Sequence, residues 1–347
     1  MTDTDFISGE PALECKYGEN GYQTPAALYT TSGTDDPLAL DRFEVVQGTA
    51  PSYNNLCDLD RLVQTVTHVA AGMDVNAGKV PFIAVAGKHG NPCGAATGDD
   101  PAMVAGQALE GDLRAVFGGL ILLNFEVDET IAEVLMTHKM PEGARRLLDG
   151  IIAPGFTRGA VEMLERKGNK CRLLANPSLR QLTRGSLDTA RRFRYVRGGF
   201  LAQPNYTFVP DLTSGDVERI GDAGEGLIEN MILAWAIGST SNSNTVTLVR
   251  DNMLIGNGVG QQDRVGGCKL AVMRAGDAGH DTKDAIAYSD SFFPFVDGPT
   301  ELQQAGVKAI LATSGSIRDG EVKEFCQEKG VTLFLYPDSA GRGFFGH

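Results

Sequence analysis

Two hydrophobic periods alternate along the chain. After an opening of about fifty polar residues broken by Gly9, Pro11, Gly18, Gly21, Pro25, Gly33 and Pro37, the spacing of Leu56, Leu59, Leu62, Val63, Val66 and Val69 predicts an amphipathic helix over residues 55–71. The opening itself reads as an arm and loops, with one short strand-like run near Val45. A continuous apolar run over residues 79–86 predicts a buried strand that leads into a glycine-rich loop. The two signals then take turns: helix 101–109, strand 118–123, helix 128–137 with an acidic first turn, strand 149–153 stopped by Pro154, helix 159–166 and strand 171–175. Such alternation predicts α/β layering.

Residues 176–211 carry no strong period but hold Arg180, Arg184, Arg191, Arg192, Arg194 and Arg197, and the expected domain junction lies there. The second half repeats the first: helix 227–237, strand 245–249, a glycine-rich turn at 256–260, a helix, an aromatic segment at 289–295, a helix holding Gln303 and Gln304, strand 309–313, helix 321–328 and strand 332–336. The expected organisation is two similar α/β units, residues 1–190 and 191–347, with no fixed-period repeat.

A length of 347 residues suits two domains, and 42% hydrophobic with 22% charged residues is ordinary for a globular chain. No apolar run approaches the roughly 18 residues of a membrane span, and the first ten residues lack a basic leader, so a cytoplasmic protein without a membrane partner is expected. With 31 Lys and Arg against 44 Asp and Glu the net charge is −13, which repels a polyanion and argues against nucleic acid while leaving room for a local anion pocket. The six cysteines form no CxxC pair, which argues for free thiols in a reducing compartment and against a zinc knuckle.

The densest chemistry is Lys88-His89-Gly90-Asn91-Pro92-Cys93-Gly94, directly after a buried strand. Neighbouring strand residues face opposite ways, so Lys88 and His89 share a cavity only if a bend brings them together. There an imidazole takes a proton from a nucleophile while an ammonium stabilises an oxyanion; a solvated Lys beside a capping His is the plainer reading. The zinc-deaminase pattern fails: His89 has no Glu two residues on, Pro92-Cys93 lacks its second Cys, and no metal is expected. The turns at 256–260 and 314–318, near Arg264 and Arg318, are read as ordinary turns or as anion cradles. Phe292, Phe293 and Phe295 around Pro294 are read as core or as the lining of a slot for a flat ring. Lys16-Tyr17 offers a cation and a phenol at a turn.

In order, KYGEN at Lys16, SYNN at Ser52, KHGNPCG at Lys88, FGG at Phe117, IIAP at Ile151, SNSN at Ser241, GQQDR at Gly260, SDSFFPF at Ser289, GSIRD at Gly315 and the terminal Phe-x-His resemble the AICAR transformylase domain over essentially the whole chain. That domain is one half of a bifunctional family whose other half is IMP cyclohydrolase. Fifteen residues before Lys16 are too few to hold that half, so the resemblance implies a free-standing transformylase. It further implies two cytidine-deaminase-like α/β/α subdomains with mixed sheets and no zinc, a homodimer with sites at the subunit interface, and functional coupling to a separate cyclohydrolase. The implied reaction moves a formyl group from 10-formyltetrahydrofolate to the 5-amino group of AICAR.

By the same resemblance His89 is the proton carrier, Lys88 steadies the tetrahedral intermediate and the departing folate nitrogen, and Asn244 orients the formyl group. Lys16, Tyr17, Asn55, Arg264, Phe292, Arg342 and His347 would hold AICAR. Phe117, Gly118, Arg264, Pro294, Phe295 and Asp297 would hold the folate. Lys16 stands where the family usually has Arg, which exchanges a bidentate fork for a point charge. Two alternatives stand beside this reading: a related enzyme formylating another amino-heterocycle, and a non-catalytic partner of a cyclohydrolase.

Overall fold

A computed structural model describes residues 7–31, 34–222, 224 and 226–346. The polar opening is not merely an arm: β1 (Glu10–Cys15) and β2 (Ala26–Thr30) form an antiparallel hairpin, followed by β3 (Glu44–Gln47). Its strands are exposed or half-buried except at Cys15, so it carries no apolar alternation that a sequence pattern could register. Helix α1 (Tyr53–Ala77) begins at a capping box in which Ser52 Oγ accepts the Asn55 amide and Asn55 Oδ1 accepts the Ser52 amide. It ends at Gly78 in the left-handed conformation, six residues beyond the predicted stop.

The first unit continues through β4 (Phe82–Lys88), β5 (Asn91–Gly98), α2 (Pro101–Glu110), β6 (Leu120–Leu123), α3 (Glu129–Thr137), β7 (Gly150–Ala153), α4 (Arg158–Leu164) and β8 (Arg172–Ala175). The arginine-rich stretch without a period forms a ribbon of β9 (Arg191–Val196) and β10 (Gly199–Pro204), followed by β11 (Glu218–Ile220). The second unit is α5 (Leu227–Ser239), β12 (Val246–Arg250), β13 (Met253–Gly258), α6 (Arg264–Asp277), β14 (Ile286–Ser289), α7 (Asp297–Gln304), β15 (Ala309–Ser314), α8 (Asp319–Lys329), β16 (Thr332–Pro337) and the short α9 (Asp338–Gly341).

From α1 and from α5 the order is the same: helix, hairpin, helix, strand, helix, strand, helix, strand. In each unit the third strand runs antiparallel to the first and the last two follow it in parallel. The repeat holds residue by residue: Ala84 pairs with Leu123 as Val246 pairs with Ser289, and the hairpin turns His89-Gly90 and Asp251-Asn252 both have positive φ. Two positive φ values in a two-residue connection match the twist of the strands they join. The fold is α/β, built of two cytidine-deaminase-like units.

The units share one twelve-stranded mixed sheet, ordered β11-β16-β15-β14-β12-β13-β5-β4-β6-β7-β8-β3. Its seam is the antiparallel pairing of β13 with β5, where Met253 faces Ala96 and the Thr97 amide donates to the Asn252 carbonyl at 3.0 Å. One face is covered jointly by α1 and α5, with Trp235, Tyr288, Phe334, Leu59 and Leu62 in a single core. Gly72 lets the two helices close up, since a β-carbon there would lie 2.5 Å from Ile232 and 3.1 Å from Trp235. The other face carries two separate cores, one per unit.

Two expectations require correction. Asn91-Pro92-Cys93-Gly94 is the start of β5 rather than a loop, and the bend is confined to His89-Gly90. Gly256 and Gly258 lie in β13 rather than in a turn: β-carbons there would sit 2.3 Å from the Ala271 carbonyl and 2.2 Å from that of Gly267, so these glycines let α6 lie on the strand. Among the described residues no group of three or more His, Cys, Asp or Glu could hold a metal ion, and no helix is long and apolar enough to cross a membrane.

Candidate functional site

The seam decides where the chemistry collects. Because β5 and β13 run antiparallel, the first unit's hairpin turn lies beside the C-terminal end of β13, and Asn257 Nδ2 donates to the Pro92 carbonyl at 3.2 Å. Lys88, His89 and Asn91 of one unit and Asn242, Asn257 and Gly260 of the other thereby line one cleft of about 520 Å³, with Asp112 and Arg274 at its wall. That volume suits a small-molecule ligand.

Lys88 is the last residue of β4 and half-buried; His89 is exposed with φ 55°. That left-handed residue removes the strand's alternation, so both side chains reach the cleft. Lys88 Nζ donates to the Phe117 carbonyl at 2.8 Å, which joins the predicted Phe117-Gly118 segment to the predicted Lys88. Gly118 has φ 69°, and Phe117 is a half-exposed aromatic beside the ammonium. Beneath the turn, Asp58 Oδ1 accepts the Gly90 amide at 2.6 Å. Burial raises the Asp58 pKa, while the Gly90 amide and the neighbouring His89 pull against that rise. Burial pushes the Cys93 thiol up to about 12, which favours its neutral form.

Asn244 does not line the cleft itself; it stands two residues beyond Asn242, which does, and is held on both sides. Its Nδ2 donates to the Gln261 carbonyl at 2.8 Å, and its Oδ1 accepts Arg264 Nη2 at 2.7 Å. Arg264, at the start of α6, also pairs with the fully buried Asp290, which accepts the Thr245 amide at 3.0 Å. Burial raises the Asp290 pKa against the pull of Arg264. The guanidinium predicted to touch both ligands is thus committed to fixing Asn244 and the segment before β12. Asn257 is fixed in the same manner, accepting Thr247 Oγ1 at 2.9 Å.

The C-terminal tail closes against this segment. The Phe345 amide donates to the Ser241 carbonyl at 2.9 Å, the Ser243 amide donates to the Gly346 carbonyl at 3.0 Å, and Asn242 bridges Gly346. The Phe345 ring lies between the guanidinium groups of Arg61, 4.0 Å away, and Arg192, 3.5 Å away. Arg61 also donates to the Thr240 carbonyl, and burial lowers its pKa to about 10. His347, predicted to hold the substrate, lies outside the described residues.

The remaining predicted residues divide. Phe292 faces the Arg342 guanidinium at 5.6 Å, and Arg342 is tied to Asp338 at 2.6 Å. Burial would lift the Asp338 carboxyl, but Arg342 and the hydroxyls of Thr313 and Ser291 outweigh it and hold it low. Phe293 is core, whereas Phe295 is half-exposed under the Arg318 guanidinium at 5.0 Å; Pro294 is half-buried and Asp297 exposed. At 314–318, read as an ordinary turn or an anion cradle, the amides are taken within the chain, since Asp319 accepts those of Gly315 and Ser316 at 2.7 and 3.2 Å. Asn55 is occupied as the α1 capping residue; Lys16 and Tyr17 are exposed in the β1–β2 turn, which Asn54 anchors through the Glu19 carbonyl at 3.3 Å.

The sequence reading missed Asp58, Arg61, Asn242, Asn257, Asp290 and Phe345. Asn242, Asp290 and Phe345 stand inside the quoted motifs SNSN, SDSFFPF and Phe-x-His without having been given a role, and Asp58 and Arg61 recur with Thr65 at helical spacing on α1. Asn257 had no such signal, because its role arises from strand pairing.

Comparison with known proteins shows the family. The family model described as the AICARFT/IMPCHase bienzyme matches residues 3–274. The chain is 36% identical over 336 residues to the bifunctional purine biosynthesis protein PurH of Cutibacterium acnes, covering 94% of this chain and 58% of that protein. The PurH proteins of Bacillus subtilis and Thermotoga maritima are each 32% identical, over 327 and 335 residues, with 58% and 63% of their lengths covered. The chain therefore spans about three fifths of the length of these relatives.

Proposed function

The chain belongs to the AICARFT/IMPCHase bienzyme family, and from that membership we propose that it is a formyltransferase of purine biosynthesis. It moves a formyl group from 10-formyltetrahydrofolate to the 5-amino group of AICAR, giving FAICAR and tetrahydrofolate. The observation that carries the reading is the cleft at the seam, where Lys88 and His89 of one unit face asparagines of the other.

The AICAR amine is a weak nucleophile because its lone pair is delocalised into the ring and carboxamide. Its proton must leave as the new C–N bond forms. In this reading His89 takes that proton, and Asp58, which accepts the Gly90 amide, lies under the same turn. Attack on the formyl carbon places negative charge on its oxygen, which Lys88 and the Asn244 amide stabilise. Collapse of the intermediate breaks the bond to folate N10, which receives a proton as it leaves. Phe117 and Phe295 supply exposed rings against which a pterin or benzoyl group packs.

The proposal includes work in the cytoplasm, a homodimer with the cleft at its interface, and a cyclohydrolase that drains FAICAR. The β9–β10 ribbon supports the second copy: it projects from Arg192 beside the tail and presents Tyr195 and Leu201 to solvent at 82% and 60% exposure. The test is tetrahydrofolate release from 10-formyltetrahydrofolate with AICAR and an added cyclohydrolase. Turnover requiring both substrates is expected, with His89→Ala lowering kcat about 10²–10⁴-fold. Near-normal turnover of that variant removes His89 from the role, and absent turnover in a protein that still binds folate points to a different amine acceptor.

A further inference from the structure

A second hollow, of about 200 Å³, opens between the C-terminal ends of α3 and α4 in the first unit. Its floor is apolar, made by Leu135, Leu148, Ile151 and Leu164, together with Cys171, whose thiol burial pushes up to about 11. Its wall is cationic: Arg145, Arg146, Arg166 and Lys167 line it against the single carboxylate of Glu165. In a chain of net charge −13 this is a local inversion of sign.

Arg146 marks the hollow as more than a surface patch. It is 7% exposed; Nη2 donates to the His138 carbonyl at 2.6 Å, and Nε has no hydrogen-bond partner. No carboxylate among the described residues pairs with it, and burial alone draws its pKa below the ordinary guanidinium range. A buried cation with no counter-ion is costly unless something supplies the missing charge. Arg145 is similarly occupied only by the Met163 carbonyl and the Met136 sulfur, and Arg166 has Asp149 at 3.9 Å.

We infer that this hollow binds a small organic anion, a phosphate or carboxylate head carried on a compact apolar body. The head meets the guanidinium groups and Lys167, and the body lies on the leucine and isoleucine floor. The site is distinct from the seam cleft, although one hydrogen bond separates them: the Gly118 amide, next to the carbonyl that holds Lys88, donates to the Leu147 carbonyl at 2.8 Å.

Calorimetric titration with phenyl phosphate, with benzyl alcohol as the uncharged control, tests the inference. Saturable binding of phenyl phosphate is expected, weakened at least ~10-fold in Arg146→Met, the loss of one charged hydrogen-bonding group. Should Arg146→Met fail to fold, Arg145→Gln/Lys167→Gln, which alters two exposed side chains, is expected to weaken binding by the same measure. Binding retained in Lys88→Met would distinguish this hollow from the seam cleft. The inference is overturned by no saturable heat up to millimolar phenyl phosphate, by equal affinity in the folded cationic variants, by equal binding of benzyl alcohol, or by loss of binding in Lys88→Met alone.

Discussion

The buried pair of Arg264 and Asp290 has an internal control. At the equivalent place in the first unit stands Asn124, whose Oδ1 accepts the Ile83 amide at 2.7 Å and whose Nδ2 donates to the Pro81 carbonyl at 3.0 Å. The first unit's counterpart of α6, the helix α2 after the β4–β5 hairpin, starts at Pro101 instead of an arginine. The neutral arrangement thus folds in the same architecture. Arg264→Met leaves a carboxylate with no exposure and only uncharged partners, a loss of about 3–5 kcal/mol. At about 2.1 cal/mol/K of unfolding entropy per residue the shift is roughly 1.4 °C per kcal/mol, so the melting temperature should fall by about 4–7 °C. Arg264→Met/Asp290→Asn recreates the first unit's amide and should recover most of that loss. The single variant should also improve as pH falls. Burial already raises the folded Asp290 pKa above the unfolded value of 3.8, and without Arg264 it rises further, so protonation removes the penalty below that folded value. Scanning calorimetry of both variants at two pH values is the assay. A single variant within about 1 kcal/mol of the parent, or a double variant as unstable as the single, refutes the argument.

Three further outcomes follow from the same geometry. Asp58→Asn keeps an acceptor for the Gly90 amide but removes a charge under His89, and should lower kcat with little change in the Michaelis constant for AICAR; an unchanged kcat under saturating substrates counts against the role. Phe345→Ala removes a buried ring between two guanidinium groups, should cost about 3 kcal/mol in chemical denaturation, and should weaken AICAR binding by loosening the segment at Ser241. Gly258→Ala places a carbon 2.2 Å from the Gly267 carbonyl and should destabilise by about 1–3 kcal/mol, whereas a stable, fully active variant would show that α6 shifts freely.

The layering was legible because its strands are buried runs and its helices keep a clean period. Residues 120–123 and 150–153 are apolar throughout, since both faces are covered. The exposed β1–β2 and β9–β10 ribbons were illegible for the converse reason, and glycines that look like a turn proved to be contacts between α6 and β13. Lys88 and His89 stood out by residue type, and the resemblance supplied Asn244. What brings Lys88 and His89 to Asn242 and Asn257 is a pairing between residues more than 150 positions apart, Met253 with Ala96, and neither strand's composition names its partner.

That pairing also constrains motion. In many two-unit proteins the cleft between the units opens and shuts by a hinge, and closure keeps water from the reaction. Here the backbone ladder runs straight through the boundary, and α1 and α5 lock it from one side, so swinging the units apart would break main-chain hydrogen bonds and the shared core. A ligand in the seam cleft therefore meets a rigid bed whose two walls keep their spacing.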